Sequence, residues 1–216
     1  MASIAILQSA IRDFLVAGVL KGTVTIGIVC RDGVVLASDS QTTEGTFIHS
    51  RNLRKIYKID ENLALTIAGV LGDAQQIAKI LKHENELYKM DHDAPLSPRT
   101  AAAFISRLLK QRQEPPFFVE LLIGGVDKSI DSKPRLYNLD SDGAVLEESK
   151  FAATGSGAEL AIGYLENRYK SDTSTESGAE LATAAVGVAK KRNAGVGGPV
   201  VVCIITAKGF KELKFE

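Results

Sequence analysis

The sequence predicts an α+β fold: two antiparallel sheets stacked face to face, with helix pairs on both outer sides, in four αββα layers. Three observations predict it. The elements come in blocks, as strands, two helices, strands, two helices and strands. The strand-like runs of the first block are separated by short turn signals, the mark of antiparallel hairpins. The helices come in adjacent pairs, which suits layers laid over a sheet. Composition agrees, since 45% of the 216 residues are hydrophobic and only 6% aromatic, as suits a layered fold rich in Ala, Val, Ile and Leu. This length suits one large domain, and no repeat, low-complexity tract or linker divides it.

Taken in order, residues 24–30 and 34–37 are apolar runs around Arg31-Asp32-Gly33, where Asp-Gly signals a hairpin. Residues 55–59 and 63–68 form a second pair around Asp60-Glu61-Asn62. From Gly72 to Met90 the pattern is helical, with Ile77, Ile80, Leu81, Leu87 and Tyr88 on one broad face. Ser97-Pro98 opens a second helix with serine as N-cap and proline at the first helical position, and that helix stops near Gln111, before Pro115-Pro116. Strands resume at 117–123 and 135–139, followed by an Asp142-Gly143 turn. A third helix follows Gly155-Ser156-Gly157. Thr173 and Glu176, at capping-box spacing, open an Ala-rich fourth helix that reaches about Arg192. Strands at 200–206 and 210–215 close the chain.

Several function classes fall away. Formal net charge is zero, so no basic excess points to nucleic acid. Residues 1–22 lack the basic start and unbroken apolar stretch of a signal peptide, and Arg12 and Asp13 interrupt a run too short to span a membrane. A short amphipathic helix ending at Val16-Ala17-Gly18 fits them best, as a removable pro-segment or simply an N-terminal helix. Cys30 and Cys203 sit in apolar runs and read as buried structural thiols. His49, His83 and His92 have no metal-ligand spacing and read as surface residues, and no cofactor motif is visible.

One junction carries chemistry. Gly22-Thr23 stands directly before the first strand. Cutting that bond would leave Thr23 as an N-terminus, with a hydroxyl nucleophile and an α-amine of pKa about 7.7–8.0 on one residue. Such a threonine needs a cation to ease loss of its proton, a carboxylate to hold that cation, and donors for an oxyanion. Asp39 ends the second strand of the first hairpin, which returns it beside Thr23, and Lys55 begins the next strand.

At these residues the chain resembles the proteasome β subunits of archaea, in the N-terminal-nucleophile (Ntn) hydrolase superfamily. The resemblance runs from Thr23 to nearly the C-terminus. Its blocks are Gly22-Thr23-Val24-Thr25-Ile26-Gly27, Asp32-Gly33-Val34-Val35-Leu36-Ala37-Ser38-Asp39, Arg54-Lys55-Ile56, Thr66-Ile67-Ala68-Gly69-Val70-Leu71-Gly72-Asp73-Ala74, Thr154-Gly155-Ser156-Gly157 and Gly197-Gly198.

The resemblance implies the αββα Ntn-hydrolase fold, a pro-segment over 1–22 and a catalytic domain over 23–216. It implies a cytoplasmic threonine endopeptidase without a cofactor, stacked in sevenfold rings with α subunits and other β subunits. An ATP-dependent unfoldase would deliver unfolded polypeptide through the α rings, with neither nucleic acid nor membrane as partner. Thr23 would attack Gly22 to release the pro-segment and then serve as nucleophile. Lys55 would lower the pKa of its hydroxyl, Asp39 would orient Lys55, the Gly69 N–H would hold the oxyanion, and Ser156 would bond the amine region. Thr42, Leu53, Ile67 and Leu71 would line an apolar, uncharged specificity pocket, giving cleavage after hydrophobic residues.

The resemblance also has a departure. Active members carry Arg-Asp-x-x-Ser-Gly-Gly where this chain reads Arg192-Asn193-Ala194-Gly195-Val196-Gly197-Gly198. Asn193 keeps hydrogen-bonding capacity without the charge, and Val196 would deprive Thr23 of a neighbouring hydroxyl. Loss of one such polar partner commonly costs about 10²-fold in rate. A second expectation follows: a weakly active or structural β subunit that keeps its pro-segment and supports an active paralogue. An unrelated amidase acting on small molecules would need a polar pocket, which the apolar positions 42, 53, 67 and 71 oppose.

Overall fold

Strand alternation decides which layer each side chain enters. In the computed structural model, which describes residues 22–112, 116–127 and 132–215, strands β1 (Thr25–Cys30) and β2 (Gly33–Ser38) form the first hairpin. Cys30 pairs with Gly33, so Arg31 and Asp32 alone make the turn and Gly33 is already strand. Glycine is needed there because the Ile205 carbonyl occupies the place of a Cβ. Val35 and Ala37 enter one core and Val34 and Leu36 another, the period-two pattern of a strand buried on both faces.

The ribbon β3 (Thr42–Glu44) and β4 (Phe47–Ser50) follows, with β4 exposed along its length. One five-stranded antiparallel sheet then contains β5 (Ile56–Asp60), β6 (Leu63–Gly69), β7 (Val119–Val126), β8 (Pro134–Leu139) and β9 (Val145–Glu148), in that spatial order. The other has the order β10 (Phe151–Thr154), β1, β2, β11 (Val200–Thr206) and β12 (Gly209–Phe215). Helices α1 (Leu71–His92) and α2 (Pro98–Gln111) cover the β5–β9 sheet, and α3 (Ala158–Glu166) and α4 (Thr175–Arg192) cover the other. Leu36, Ile56, Leu122, Leu136 and Ile205 fill the layer between the sheets. The fold is therefore the four-layer αββα sandwich of the Ntn hydrolases.

Three local expectations change. Ribbon β3–β4 and strands β9 and β10 were not legible in the sequence, being only three or four residues long. Helix α2 has the expected cap, with Ser97 Oγ accepting from Thr100 N at 3.1 Å, but α4 is capped by Ser174 and not Thr173. The reason is tertiary: Asp32 accepts from the Thr175 amide and hydroxyl at 2.9 and 3.0 Å and fixes the helix start against the β1–β2 turn. On α1, Ile77 and Leu81 are buried, but Leu87 is 44% exposed. The inward position belongs to Asn85, which donates to Asp60 at 2.8 Å and accepts from Leu96 N at 3.0 Å. Leu87 lies two residues on, about 200° round the helix.

Cys30 and Cys203 are buried free thiols, and desolvation is the chief cause that pushes both up to about 12. The three histidines are exposed. The expected helix near the N-terminus lies outside the described residues.

These layers predict an asymmetry. Leu36→Ala should lower unfolding free energy by about 2–5 kcal/mol, because it opens a cavity between the sheets. Leu87→Ala should change it by no more than about 0.5 kcal/mol. Chemical denaturation of the two variants checks both.

Candidate active site

The site grows out of the first hairpin's register. Thr25 pairs with Ser38, so the residues just before β1 lie opposite those just after β2. Val24 N donates to Asp39 Oδ1 at 3.0 Å, and Asp39 N donates to the Val24 carbonyl at 3.3 Å. The other carboxylate oxygen of Asp39 accepts from Gln41 N at 3.1 Å and Gly197 N at 3.0 Å.

Lys55 lies just before β5, where its carbonyl accepts from Ile67 N at 3.1 Å. Its side chain is 3% exposed and meets the fully buried side chain of Asp39 at 2.7 Å. The ammonium also donates to Thr23 Oγ1 at 2.9 Å and to the Gly22 carbonyl at 3.0 Å. Its three donors therefore match three acceptors. Burial lowers the Lys55 pKa below the usual lysine value, and the Asp39 charge and hydrogen bond oppose that shift. A cation at hydrogen-bond distance favours the alkoxide form of the Thr23 hydroxyl.

Thr23 is held from behind by the turn before α3. Its amide donates to Ser156 Oγ at 3.4 Å, and its carbonyl accepts from Gly157 N at 3.1 Å. Asn193, the C-cap of α4, donates from one amide to the Ser156 carbonyl at 2.7 Å and its hydroxyl at 3.1 Å. Asn193 Oδ1 accepts from Gly195 N at 3.0 Å. A carboxylate could not supply the donor half of this arrangement.

Val196, at the position of the family's serine, is 4% exposed and belongs to the same apolar cluster as Val24 and Ala189.

Beside Thr23 is a cleft of about 170 Å³. Thr42, Leu53, Ile67 and Leu71 all line it, together with Gly69. The expected apolar, uncharged lining is corrected by Thr43, Tyr57 and Arg54, the last of which pairs with Glu212 at 3.1 Å. Sequence reasoning missed these residues, and it missed Gln41, whose role is a backbone N–H that no side-chain pattern reveals. A larger recess of about 970 Å³ lies between β11, β12 and α4, and none of the predicted site residues lines it. The chemistry is concentrated in the smaller cleft.

Two glycines fit this geometry alone. Gly69 has φ +121° with the Phe118 carbonyl where its Cβ would be. Gly22 has φ +117°, with Thr43 Oγ1 and, at 2.8 Å, the Gly195 carbonyl where its Cβ would be.

A strand-initial threonine facing a buried lysine in an αββα sandwich defines an Ntn hydrolase. The proteasome subunit family model matches residues 19–205. The proteasome β subunit of Methanosarcina barkeri is 42% identical over 197 residues, covering 91% of this chain and 92% of that protein. That of Methanocella paludicola is 43% identical over 186 residues, 86% of this chain and 88% of its own. That of Ferroglobus placidus is 42% identical over 198 residues, 92% and 93% of the two chains. The chain belongs to the proteasome family of protein-degrading hydrolases, as an archaeal-type β subunit. Among the described residues no helix is long and apolar enough to cross a membrane.

Gly22→Ala should cost about 1–3 kcal/mol of stability, because alanine at φ +117° is strained and its methyl group meets backbone. Urea unfolding beside Gly72→Ala, a helix position where the added methyl meets nothing, checks this.

Proposed function

We propose that this β subunit is a threonine endopeptidase whose Thr23 becomes the nucleophile after self-removal of residues 1–22, leaving 23–216 as the catalytic domain. It works in the cytoplasm, in stacked heptameric rings with α subunits and other β subunits. There it cleaves unfolded polypeptide that an ATP-dependent unfoldase delivers. The observation that carries this reading is the Lys55 ammonium, which lies within 3.0 Å of the Gly22 carbonyl oxygen and 2.9 Å of Thr23 Oγ1. One cation thus touches the nucleophile and the carbonyl to be attacked.

In self-processing Thr23 Oγ1 attacks the Gly22 carbonyl carbon while a water accepts the hydroxyl proton. Lys55 stabilises the negative charge that develops on the Gly22 oxygen. The Gly22–Thr23 C–N bond breaks, its nitrogen takes up a proton, and an ester joins Gly22 to Thr23 Oγ1. Water then hydrolyses the ester, freeing the Gly22 carboxylate and the Thr23 hydroxyl and amine. For peptide substrates the new amine is the base, Lys55 favours the alkoxide, and the Gly69 N–H holds the oxyanion. Leu53, Ile67, Leu71 and Ala74 give the cleft one apolar wall that suits a hydrophobic residue before the cut, while Thr43, Tyr57 and Arg54 make the rest of it polar.

A neutral Asn193 in place of the family's aspartate favours a second reading, a structural subunit that keeps residues 1–22 beside an active paralogue. The intact mass of the chain after assembly with its ring partners separates the two. Loss of residues 1–22, with Thr23→Ala abolishing both that loss and peptide hydrolysis, is the expected result. Retention of the segment in the assembled particle supports the structural subunit.

The lysine makes hydrolysis pH-dependent. Lys55 loses its proton below the ordinary 10.5 because burial disfavours the charge, so the alkaline limb of kcat/KM should have a midpoint below 10.5. The Asp39 charge raises the Lys55 pKa, so residual activity of Asp39→Asn should fall off at still lower pH. Rate–pH profiles of the two proteins decide this; an unshifted limb would sink the assignment.

A further inference from the structure

Strand alternation places an acid on the face of β7 that is turned towards the other sheet. On β7, Val119, Leu121 and Ile123 face the helices, while Leu122 enters the layer between the sheets. Glu120 is two residues from Leu122 and shares its face. A half-buried carboxylate there is costly unless its oxygens are bonded. Glu120 Oε2 accepts from Gly155 N at 2.8 Å, a contact that runs from one sheet to the turn at the end of the other.

Gly155 begins the turn that grips Thr23. It has φ +86°, and the Thr23 carbonyl lies where its Cβ would be, so the two backbones are in direct contact. Ser156 Oγ and Gly157 N then bond the Thr23 amide and carbonyl. Asn193 holds this turn from α4, and Glu120 holds it from β7. β7 also pairs with β6, whose Ile67 and Gly69 line the cleft. Glu120 pairs with Ala68 and Val119 with Gly69, so the strand that carries Glu120 is bonded to the strand that ends in the candidate oxyanion donor.

We propose that Glu120 is a positioning residue that fixes the separation between Thr23, held by the Ser156 turn, and Gly69, held by β7. Hydrogen-bond acceptance is what matters, so the amide oxygen of glutamine should serve in its place. The inference rests on Thr23 being the nucleophile.

The test compares Glu120→Ala and Glu120→Gln in assembled particles on a fluorogenic peptide with a hydrophobic residue before the cut. Glu120→Ala should lower kcat by about 10²-fold, with KM nearly unchanged, because a misplacement of about 1 Å has that effect on a reacting pair. Glu120→Gln should recover most of the rate. An unchanged kcat in Glu120→Ala overturns the proposal, as does a loss confined to KM. So does a glutamine variant as impaired as the alanine one. Should Glu120→Ala fail to assemble, the structure of Glu120→Gln decides: an amide oxygen bonded to Gly155 N supports the role, and one turned away at full activity overturns it. If Thr23→Ala leaves hydrolysis intact, the nucleophile assignment fails instead. The crystal structure of Glu120→Ala then decides positioning separately. A lengthened Thr23 N to Ser156 Oγ separation supports it, and an unaltered 3.4 Å refutes it.

Discussion

The buried pair of Lys55 and Asp39 is the constraint on which the rest of the site depends. Withdrawing two charges from water costs several kcal/mol for each ion, and attraction between them offsets this only when the remaining hydrogen bonds are also satisfied. Here they are. Asp39 accepts from Lys55 and from the amides of Val24, Gln41 and Gly197. Lys55 donates to Asp39, Thr23 and Gly22. Those seven groups come from the first hairpin, the start of β5 and the loop before β11, so the pair forms only when both sheets and that loop are in place.

The same requirement explains the glycines around Thr23. The threonine is pressed between Lys55 in front and the Ser156 turn behind, and backbone must approach backbone closely on both sides. Gly22 sits against the Gly195 carbonyl, and Gly155 against the Thr23 carbonyl. Both have positive φ, where any side chain would be strained. Tight packing therefore holds an otherwise ordinary Gly-Thr peptide in one conformation, with its carbonyl and its hydroxyl aimed at the same ammonium.

The two departures from the family pattern prove unequal. Val196 lies in the apolar cluster under the site and contributes packing. Asn193 contributes geometry, since one amide donates to Ser156 and accepts from Gly195, closing the loop around the turn. What changes at position 193 is charge rather than connectivity.

The sequence by itself determined the layers and the chemical cast of the site. Period-two runs, the Asp-Gly hairpin and the Ser97-Pro98 cap act over a few residues, and each held in the structure. Thr23, Asp39 and Lys55 were legible because hairpin register and strand order bring them together. Tertiary structure alone decided that α4 starts at Thr175, that Asn85 displaces Leu87 from the buried face of α1, and that Val196 turns into the core. It also decided that Glu120 on β7 reaches Gly155. Each of these depends on a partner distant in sequence or on which face an element presents, and the free energy of such contacts exists only once the layers have packed. A local pattern fixes what a segment is inclined to do, while desolvation and close packing between segments decide which of its groups meet.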